Sequence, residues 1–233
     1  MLFEILNHKT YEVIFELNKE DNTMKKTVEA AVRKGISLRE ADLRCADLHG
    51  ADLRNADLRY AVLTHANLSG ANLRGADLSY SSIDWSNLNN ADLTGANIKN
   101  CFIYRTHLDN TIMPDFPMAC PDKGSFIGWK KIFLTKEYFF VRRFIVKLEI
   151  PEDAKRSSSN SNKCRCSKAK VLEIKDADLG ETIDKITNFN IFPCVYKVGE
   201  YVYPDSFDDC RWNECSNGIH FFMTEEEAIK YGS

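Results

Sequence analysis

From Leu38 to Leu108 an aliphatic residue stands at every fifth position without a break. The series is Leu38, Leu43, Leu48, Leu53, Leu58, Leu63, Leu68, Leu73, Leu78, Ile83, Leu88, Leu93, Ile98, Ile103 and Leu108, and Met113 continues the phase. From Leu43 onward a small residue sits two positions ahead of each, usually alanine, with Ser81, Ser86, Cys101 and Thr106 as the variants. A period of five fits neither a helix nor a flat strand. Held this long, it predicts a stack of structural repeats, an architecture that offers long binding surfaces and seldom builds a catalytic pocket by itself. Ahead of the repeat, Leu2, Ile5, Tyr11, Val13, Phe15 and Leu17 alternate with polar residues and predict a strand pair. The segment TMKKTVEAAVRKG predicts a helix, with Thr23 as N-cap, Val28, Ala31 and Val32 as its apolar stripe and Gly35 as its stop. Together these elements are expected to close one end of the stack.

The run ADLRCADLHGADLRNADLRYAVLTHANLSGANLRGADL resembles the pentapeptide-repeat family, whose unit reads Ala-Asp/Asn-Leu-X-X. The resemblance covers about Ile36 to Asp115 and implies a right-handed, four-sided β-helix. In that family the central leucine and the small residue two before it point inward. At four units per coil the sixteen units make about four coils, roughly 19 Å tall at the usual strand spacing. The expected organisation is an N-terminal hairpin and helix cap over residues 1–35, a quadrilateral β-helix over 36–115 and a C-terminal α+β domain over 116–233, so that the fold is mainly β.

Dealing successive units onto four faces, starting from Leu38, separates the outward residues. Faces one and two receive Tyr60, Tyr80, Trp85, His65, Val62, Phe102, Tyr104 and Arg105, with Arg39, Arg44 and Arg59. Faces three and four receive mostly Asn, Asp, Ser and Gly, together with Arg54, Arg74 and the one large apolar residue Ile112. Aromatic side chains aligned on a solenoid are unlike ordinary solvated surface. Phe102, Tyr104 and Ile112, in the last coil, are expected to receive the C-terminal domain. Tyr60, Tyr80, Trp85, Arg39 and Arg59 are candidates for partner contact, since Tyr, Trp and Arg are the residue types that anchor interfaces.

After Met113 the phase ends in a proline-rich junction with Pro114, Pro117 and Pro121. Phe126 to Leu134 and Phe139 to Ile150 then read as strands, EDAKRSSSNSN as a polar mobile loop and KCRCSKAKVLEI as one further strand. CVYKVGEYVYPD reads as a hairpin turning at Gly199-Glu200, GIHFF as a short strand, and Thr224 with Glu227 as a capping box on a terminal helix. The strings VKLEIPEDAKR, KCRCSKAKVLEI, YKVGEYVYPDSFD and WNECSNGIHFFMTEEEA resemble an uncharacterised domain of phage and bacterial pentapeptide-repeat proteins. That resemblance covers about Gly128 to Tyr231; it implies a phage or bacterial cytoplasmic origin and supplies an architecture without assigning an activity.

Composition narrows the chemistry. The net charge of −3 gives no general pull toward nucleic acid or membrane. The N-terminus lacks the pattern of a signal peptide, no stretch is long enough to span a bilayer, and the eight cysteines are expected to be reduced cytosolic thiols. Within 36–115 seven Lys or Arg face ten acids, a mixture unlike the acidic stripe of the family's DNA-mimicking topoisomerase binders. Residues 130–175 carry thirteen Lys or Arg against five acids, and residues 176–233 carry four against twelve, so the two segments are expected to neutralise each other or to leave a basic groove. Lys163, Arg165 and Lys168, read along one strand, and His220 beside a helix start are ligand-binding candidates. Their bland readings are a lysine-protected edge strand and a structural histidine. Cys164, Cys166, Cys210 and Cys215 are weak metal candidates, because their spacing is not that of paired zinc knuckles. No Gly-rich phosphate loop, HExxH or GxSxG occurs.

The expectation is a non-enzymatic cytoplasmic interaction protein without cofactor or metal. It would bind a protein partner or a second copy of itself, as in a phage factor that occludes a host target. The rivals are a nucleotide- or small-ligand-binding domain working through His220 and its basic neighbours, and the topoisomerase-directed DNA mimic.

Overall fold

Each five-residue unit forms one side of a square coil, and four sides return the chain to its starting edge. Residues twenty apart therefore pair in parallel: Asp42 with Val62, Val62 with Ser82 and Ser82 with Phe102, and likewise on the other three sides. The backbone donates in both directions, as Leu43 N to Val62 O at 2.8 Å and Val62 N to Ala41 O at 2.9 Å. Leu58, Leu78 and Ile98 stack one above another inside, all buried, and the small positions from Ala41 to Cys101 lie beside them. Inward serines satisfy themselves: Ser81 Oγ donates to Leu78 O at 2.7 Å and Ser86 Oγ to Ile83 O at 2.6 Å.

This coordinate set is a computed structural model that describes residues 1–115, 117–136, 140–158, 160–188, 194–208, 211 and 217–231. It divides into two units, Met1–Pro117 and Met118–Ser233.

In the first unit, β1 (Leu2–Leu6) and β2 (Val13–Asn18) pair antiparallel, and α1 (Met24–Arg33) follows. The Thr23 side chain accepts from Lys26 N, and Gly35 takes a left-handed φ of 69° beyond the last turn. Val28 and Ala31 are buried. The cap also supplies acceptors that the first coil lacks from below. Asp42 N donates to Leu6 O at 2.8 Å, and Asp52 N donates to the Glu29 carboxylate at 3.0 Å. Both amides would otherwise end the ladder unpaired.

The second unit contains β3 (Phe126–Lys136), β4 (Phe140–Ile150), β5 (Arg156–Ser158), β6 (Cys164–Cys166), β7 (Ala169–Asp176), β8 (Lys185–Asn188), β9 (Cys194–Lys197), β10 (Tyr201–Val202), β11 (Ile219–Phe221) and α2 (Glu225–Lys230). Its sheets run β10-β7-β4-β3, β11-β6-β5 and β8-β9, with antiparallel neighbours throughout. Phe222 and Trp129 exchange backbone hydrogen bonds of 2.7 and 2.8 Å, which brings the chain beyond β11 onto β3. Alternate residues of β4, namely Phe144, Val146, Leu148 and Ile150, enter one core with Val171, Ile174, Cys164, Cys166 and Phe221. Gly128 makes room there, since a Cβ at that position would lie 2.6 Å from the Phe221 ring.

Four expectations change. The C-terminal region is mostly β rather than α+β: among its described residues the one helix is α2, six residues long, closed by the Thr224–Glu227 capping box. The serine-rich segment is not a free loop, because Arg156–Ser158 pairs with β6 and Ser157 and Ser158 are buried. KCRCSKAKVLEI forms two strands in two sheets, since the chain bends between Cys166 and Ala169. The Gly199 turn exists, at φ 85°, yet it joins strands that pair elsewhere, β9 with β8 and β10 with β7. In each case longer-range pairing outcompetes the local pattern. Phe139, expected to open β4, lies outside the described residues.

Leu78→Ala is expected to lower the stability of the first unit by about 2–5 kcal/mol in urea unfolding, because the square bore cannot collapse onto the missing side chain. A loss below about 1 kcal/mol would contradict the stacked interior.

Candidate functional site

The corners of the coil explain the repeat and expose its exceptions. At each corner the aliphatic carbonyl accepts from the small residue three positions on, as Ala46 N to Leu43 O at 3.2 Å. The third residue of such a turn needs positive φ, which Gly and Asn adopt most cheaply. The Asp or Asn before the aliphatic accepts from the turn amide two residues on, as Ser79 N to Asp77 Oδ1 at 2.9 Å and Thr94 N to Asp92 Oδ1 at 2.8 Å. Two corners follow this rule with Gly50, Gly70, Asn90 and Asn110, and with Asn55, Gly75 and Gly95. The other two do not. One carries Glu40, Tyr60, Tyr80 and Asn100, and the next carries Cys45, His65, Trp85 and Arg105. Tyr60, His65, Tyr80 and Trp85 all stand at φ 60°. A left-handed conformation costs an ordinary residue on the order of 1–2 kcal/mol.

Those strained residues stack. Tyr60 and Tyr80 lie with ring centroids 5.0 Å apart and planes within 5°. His65 and Trp85 are 6.0 Å apart at 22°, and Tyr104 meets Trp85 edge-on at 6.0 Å. Cations cover the ends: Arg39 sits 4.4 Å and Lys9 5.7 Å from the Tyr60 ring, and Arg105 sits 4.6 Å from Trp85 and 5.3 Å from Tyr104. Each aromatic pair contributes about 0.5–1.5 kcal/mol and each exposed cation about 0.5–1, so the contacts roughly offset the strain without exceeding it clearly. Tyr80 and Trp85 remain 45% exposed, and Phe102, Tyr104 and Ile112 are more exposed still.

Arg59 behaves differently from Arg39. It grips Asp57 with Nε at 2.7 Å and Nη2 at 2.9 Å, and with a further hydrogen bond from Ser37 this holds the Asp57 carboxyl down at about 2. Arg44 holds Asp42 and Arg54 holds Asp52 in the same manner, and Arg74 reaches Asp92 of the next coil with a single Nη1 hydrogen bond of 3.0 Å. These guanidiniums interrupt the acidic columns that mimicry of a DNA backbone would require.

The basic candidates of the second unit do not converge. Arg165 lies directly opposite His220 in the β6–β11 register. It is 2% exposed in the middle strand of its sheet rather than on an edge, with Nη1 3.4 Å from Asn217 O and its guanidinium 5.9 Å from the Phe207 ring. Lys163 reaches the Tyr231 hydroxyl at 3.3 Å, whereas Lys168, which lies between β6 and β7, pairs with Asp153. Arg142 pairs with Asp176 and Arg143 with Asp178, so the basic segment and the acidic segment neutralise each other in part. A partly open cavity is lined by Trp129, Ile145, Lys147, Glu173, Lys175 and Glu225, with charges of both signs. Cys164 and Cys166 are core residues, and Cys210 and Cys215 lie outside the described residues. Among the described residues no three His, Cys, Asp or Glu side chains are grouped to hold a metal, and no helix is long and apolar enough to cross a membrane.

Lys130 was not singled out by motif. It occupies the inward phase of β3, opposite the buried Val146, with Nζ 3.3 Å from His220 O and 6.0 Å from the Tyr196 ring. The residue is half-buried, and desolvation of the ammonium pushes its pKa down to about 8. A lysine within an alternating apolar series is the signal that could have found it.

Tyr80→Asn is expected to change stability by no more than about 1 kcal/mol, because relief of the left-handed strain offsets the lost stack. A loss above about 2 kcal/mol in urea unfolding would make the ladder a structural brace instead. For Lys130, the folded protein binds fewer protons than the unfolded chain between pH 8 and the ordinary lysine pKa, so its penalty fades as pH rises through that window. Lys130→Met should therefore raise the melting temperature at pH 7, and the gain should shrink by pH 10. A gain independent of pH would show that packing, not desolvation, is the cause.

Two protein families match the sequence. Pentapeptide repeats match residues 34–59, 56–95 and 84–113, and a family of unknown function, DUF5758, matches residues 116–228. Among solved structures, a pentapeptide repeat protein of the Arabidopsis thaliana thylakoid lumen is 36% identical over 36% of this chain and 58% of its own, with a TM-score of 0.34. HetL, a pentapeptide repeat protein involved in heterocyst differentiation regulation in the cyanobacterium Nostoc sp. strain PCC 7120, is 41% identical over 35% of this chain and 38% of its own, with a TM-score of 0.33. The chain thus spans less than two thirds of either protein. No curated protein matches. Residues 34–113 are a pentapeptide-repeat region, and residues 116–228 are a C-terminal domain of the family of unknown function DUF5758.

Proposed function

We propose that the chain is a non-enzymatic interaction protein, and that the corners bearing Tyr60, Tyr80, His65 and Trp85 are its contact surface for a protein partner. The observation that supports this reading is the placement of large aromatic residues at φ 60°, where the same fold uses Gly and Asn on its other two corners. Strain kept at half-exposed positions, with little net stabilisation in return, is a mark of function rather than of folding. The ladder also has the composition of an interface centre. Tyr80 and Trp85 offer rigid, amphipathic area, and Arg39 and Arg105 present guanidinium planes beside them. Such a surface suits a partner that brings planar or apolar side chains flanked by carboxylates. The partner would be met in the cytoplasm of a bacterium or of a phage-infected cell.

Site-specific photo-crosslinking tests the proposal. A benzophenone amino acid replaces Tyr80 in one variant and Asn90, on a Gly/Asn corner, in another. The expected result in the host cell is a light-dependent adduct of one discrete mass at Tyr80 and none at Asn90. Equal labelling at both positions, or none at either, would remove the aromatic corners as the contact surface. An adduct of twice the chain mass would identify a second copy as the partner.

A further inference from the structure

We propose that Cys120 and Cys164 are a reversible oxidation site: a thiol pair that exchanges with a small-molecule disulfide, such as oxidised glutathione, to form an internal disulfide. The two residues are distant in sequence and adjacent in the fold. Both side chains lie in one buried core, where each perturbs the ionisation of the other. Cys164 lies opposite Ser158 in the β5–β6 register, and the Ser158 hydroxyl accepts from Ala119 N at 2.8 Å, which pins the chain one residue ahead of Cys120. Arg156 anchors the same segment from its other side. Its guanidinium donates to Gly124 O at 2.7 Å, Pro121 O at 3.4 Å, Glu152 O at 2.7 Å and Pro151 O at 2.9 Å.

The pair is electronically unequal. The hydrogen bond from Cys164 holds the Cys120 thiol below the usual thiol range, and the positive fields of Arg156 and Arg211 act in the same direction against burial. The same hydrogen bond, with burial, holds Cys164 above it. Cys120, in the entry segment outside any strand, is therefore the attacking sulfur, and Cys164, fixed in the middle strand β6, is the resolving one. The Cys120 thiolate attacks one sulfur of oxidised glutathione and expels the other as a glutathione thiolate, which takes up the proton Cys120 has lost. Once Cys120 is bound in the mixed disulfide, it no longer depresses ionisation of Cys164. Cys164 then gives up its proton, attacks the Cys120 sulfur and releases the second glutathione as a thiol. Two protein thiols are oxidised to one disulfide, and one glutathione disulfide is reduced to two thiols. The other described cysteines lack this arrangement. Cys101 and Cys166 are pushed up to about 12 by burial, Cys194 contacts Tyr203 O at 3.8 Å, and Cys45 stands exposed at a corner of the coil. Cys120 is 3% exposed, so exchange there waits on opening of the segment Arg156 holds and is slower than at Cys45.

The full chain is incubated with oxidised glutathione and quenched with acid. Remaining thiols are alkylated, and the digest is read by mass spectrometry. The expected product is a Cys120–Cys164 linked peptide that disappears on reduction with dithiothreitol, while Cys45 carries glutathione alone. In Cys164→Ser, Cys120 should accumulate as the mixed disulfide, and in Cys120→Ser, Cys164 should remain a free thiol. The wild-type chain needs no substitution for the second readout: its oxidised form should melt several degrees above its reduced form, since the link closes a long loop of the unfolded chain. Alkylation of both Cys120 and Cys164 once the extent of oxidation no longer changes with incubation time, or linkage of Cys120 to a different cysteine, would overturn the proposal.

Discussion

A chain that must close a square coil in twenty residues needs four tight corners, and each corner needs one residue in the left-handed region. That requirement organises the first unit. It sets the five-residue spacing, aims one aliphatic and one small side chain into the bore on every side, and leaves the Asp or Asn carboxamide or carboxylate beside the turn amide that it caps. Parallel pairing then repeats the solution in the next coil, because residues twenty apart share their backbone hydrogen bonds. The cap follows from the same geometry: the first coil has no neighbour below, and Leu6 and Glu29 supply acceptors to its amides.

The corner is also where the molecule departs from its own rule. Gly and Asn would satisfy the turn everywhere, yet two neighbouring corners place Tyr, His, Trp and Arg there. Stacking between successive coils comes at no extra conformational cost, since the coil spacing already sets rings about a van der Waals stack apart. The resulting aromatic stripe is rigid, half-exposed and edged by cations. Rigidity of this kind lowers the entropic cost of any association the stripe makes.

The second unit follows a different logic, in which polar groups are drawn into a β core. Arg165 is buried in the middle strand of its sheet, Asp176 accepts from its own turn amides and from Arg142, and Lys130 points inward from β3. Buried polar side chains of this kind stabilise little in themselves and fix pairing, since any other register leaves them unsatisfied. The thiol pair at Cys120 belongs to the same interior, held by the hydrogen bonds that fasten the entry segment.

The repeat, the cap and the inward residues were legible residue by residue, because a period set by sterics needs no information from elsewhere in the chain. The Leu38-to-Ile103 series, Thr23 and Gly35, and the capping box at Thr224 are all local signals, and each has its expected place. The aromatic corners were legible as positions but not as stacks, since ring geometry depends on the next coil. What the sequence could not specify was pairing between distant segments: that Arg156–Ser158 is a strand, that β9 and β10 leave a shared turn for different sheets, that Arg165 is buried while Lys168 meets Asp153, and that Cys120 and Cys164 share one core. Alternation along a strand reveals which side faces inward and says nothing about which neighbour lies beside it. Only the assembled sheets decided that, through long-range hydrogen bonds and burial that no local pattern encodes.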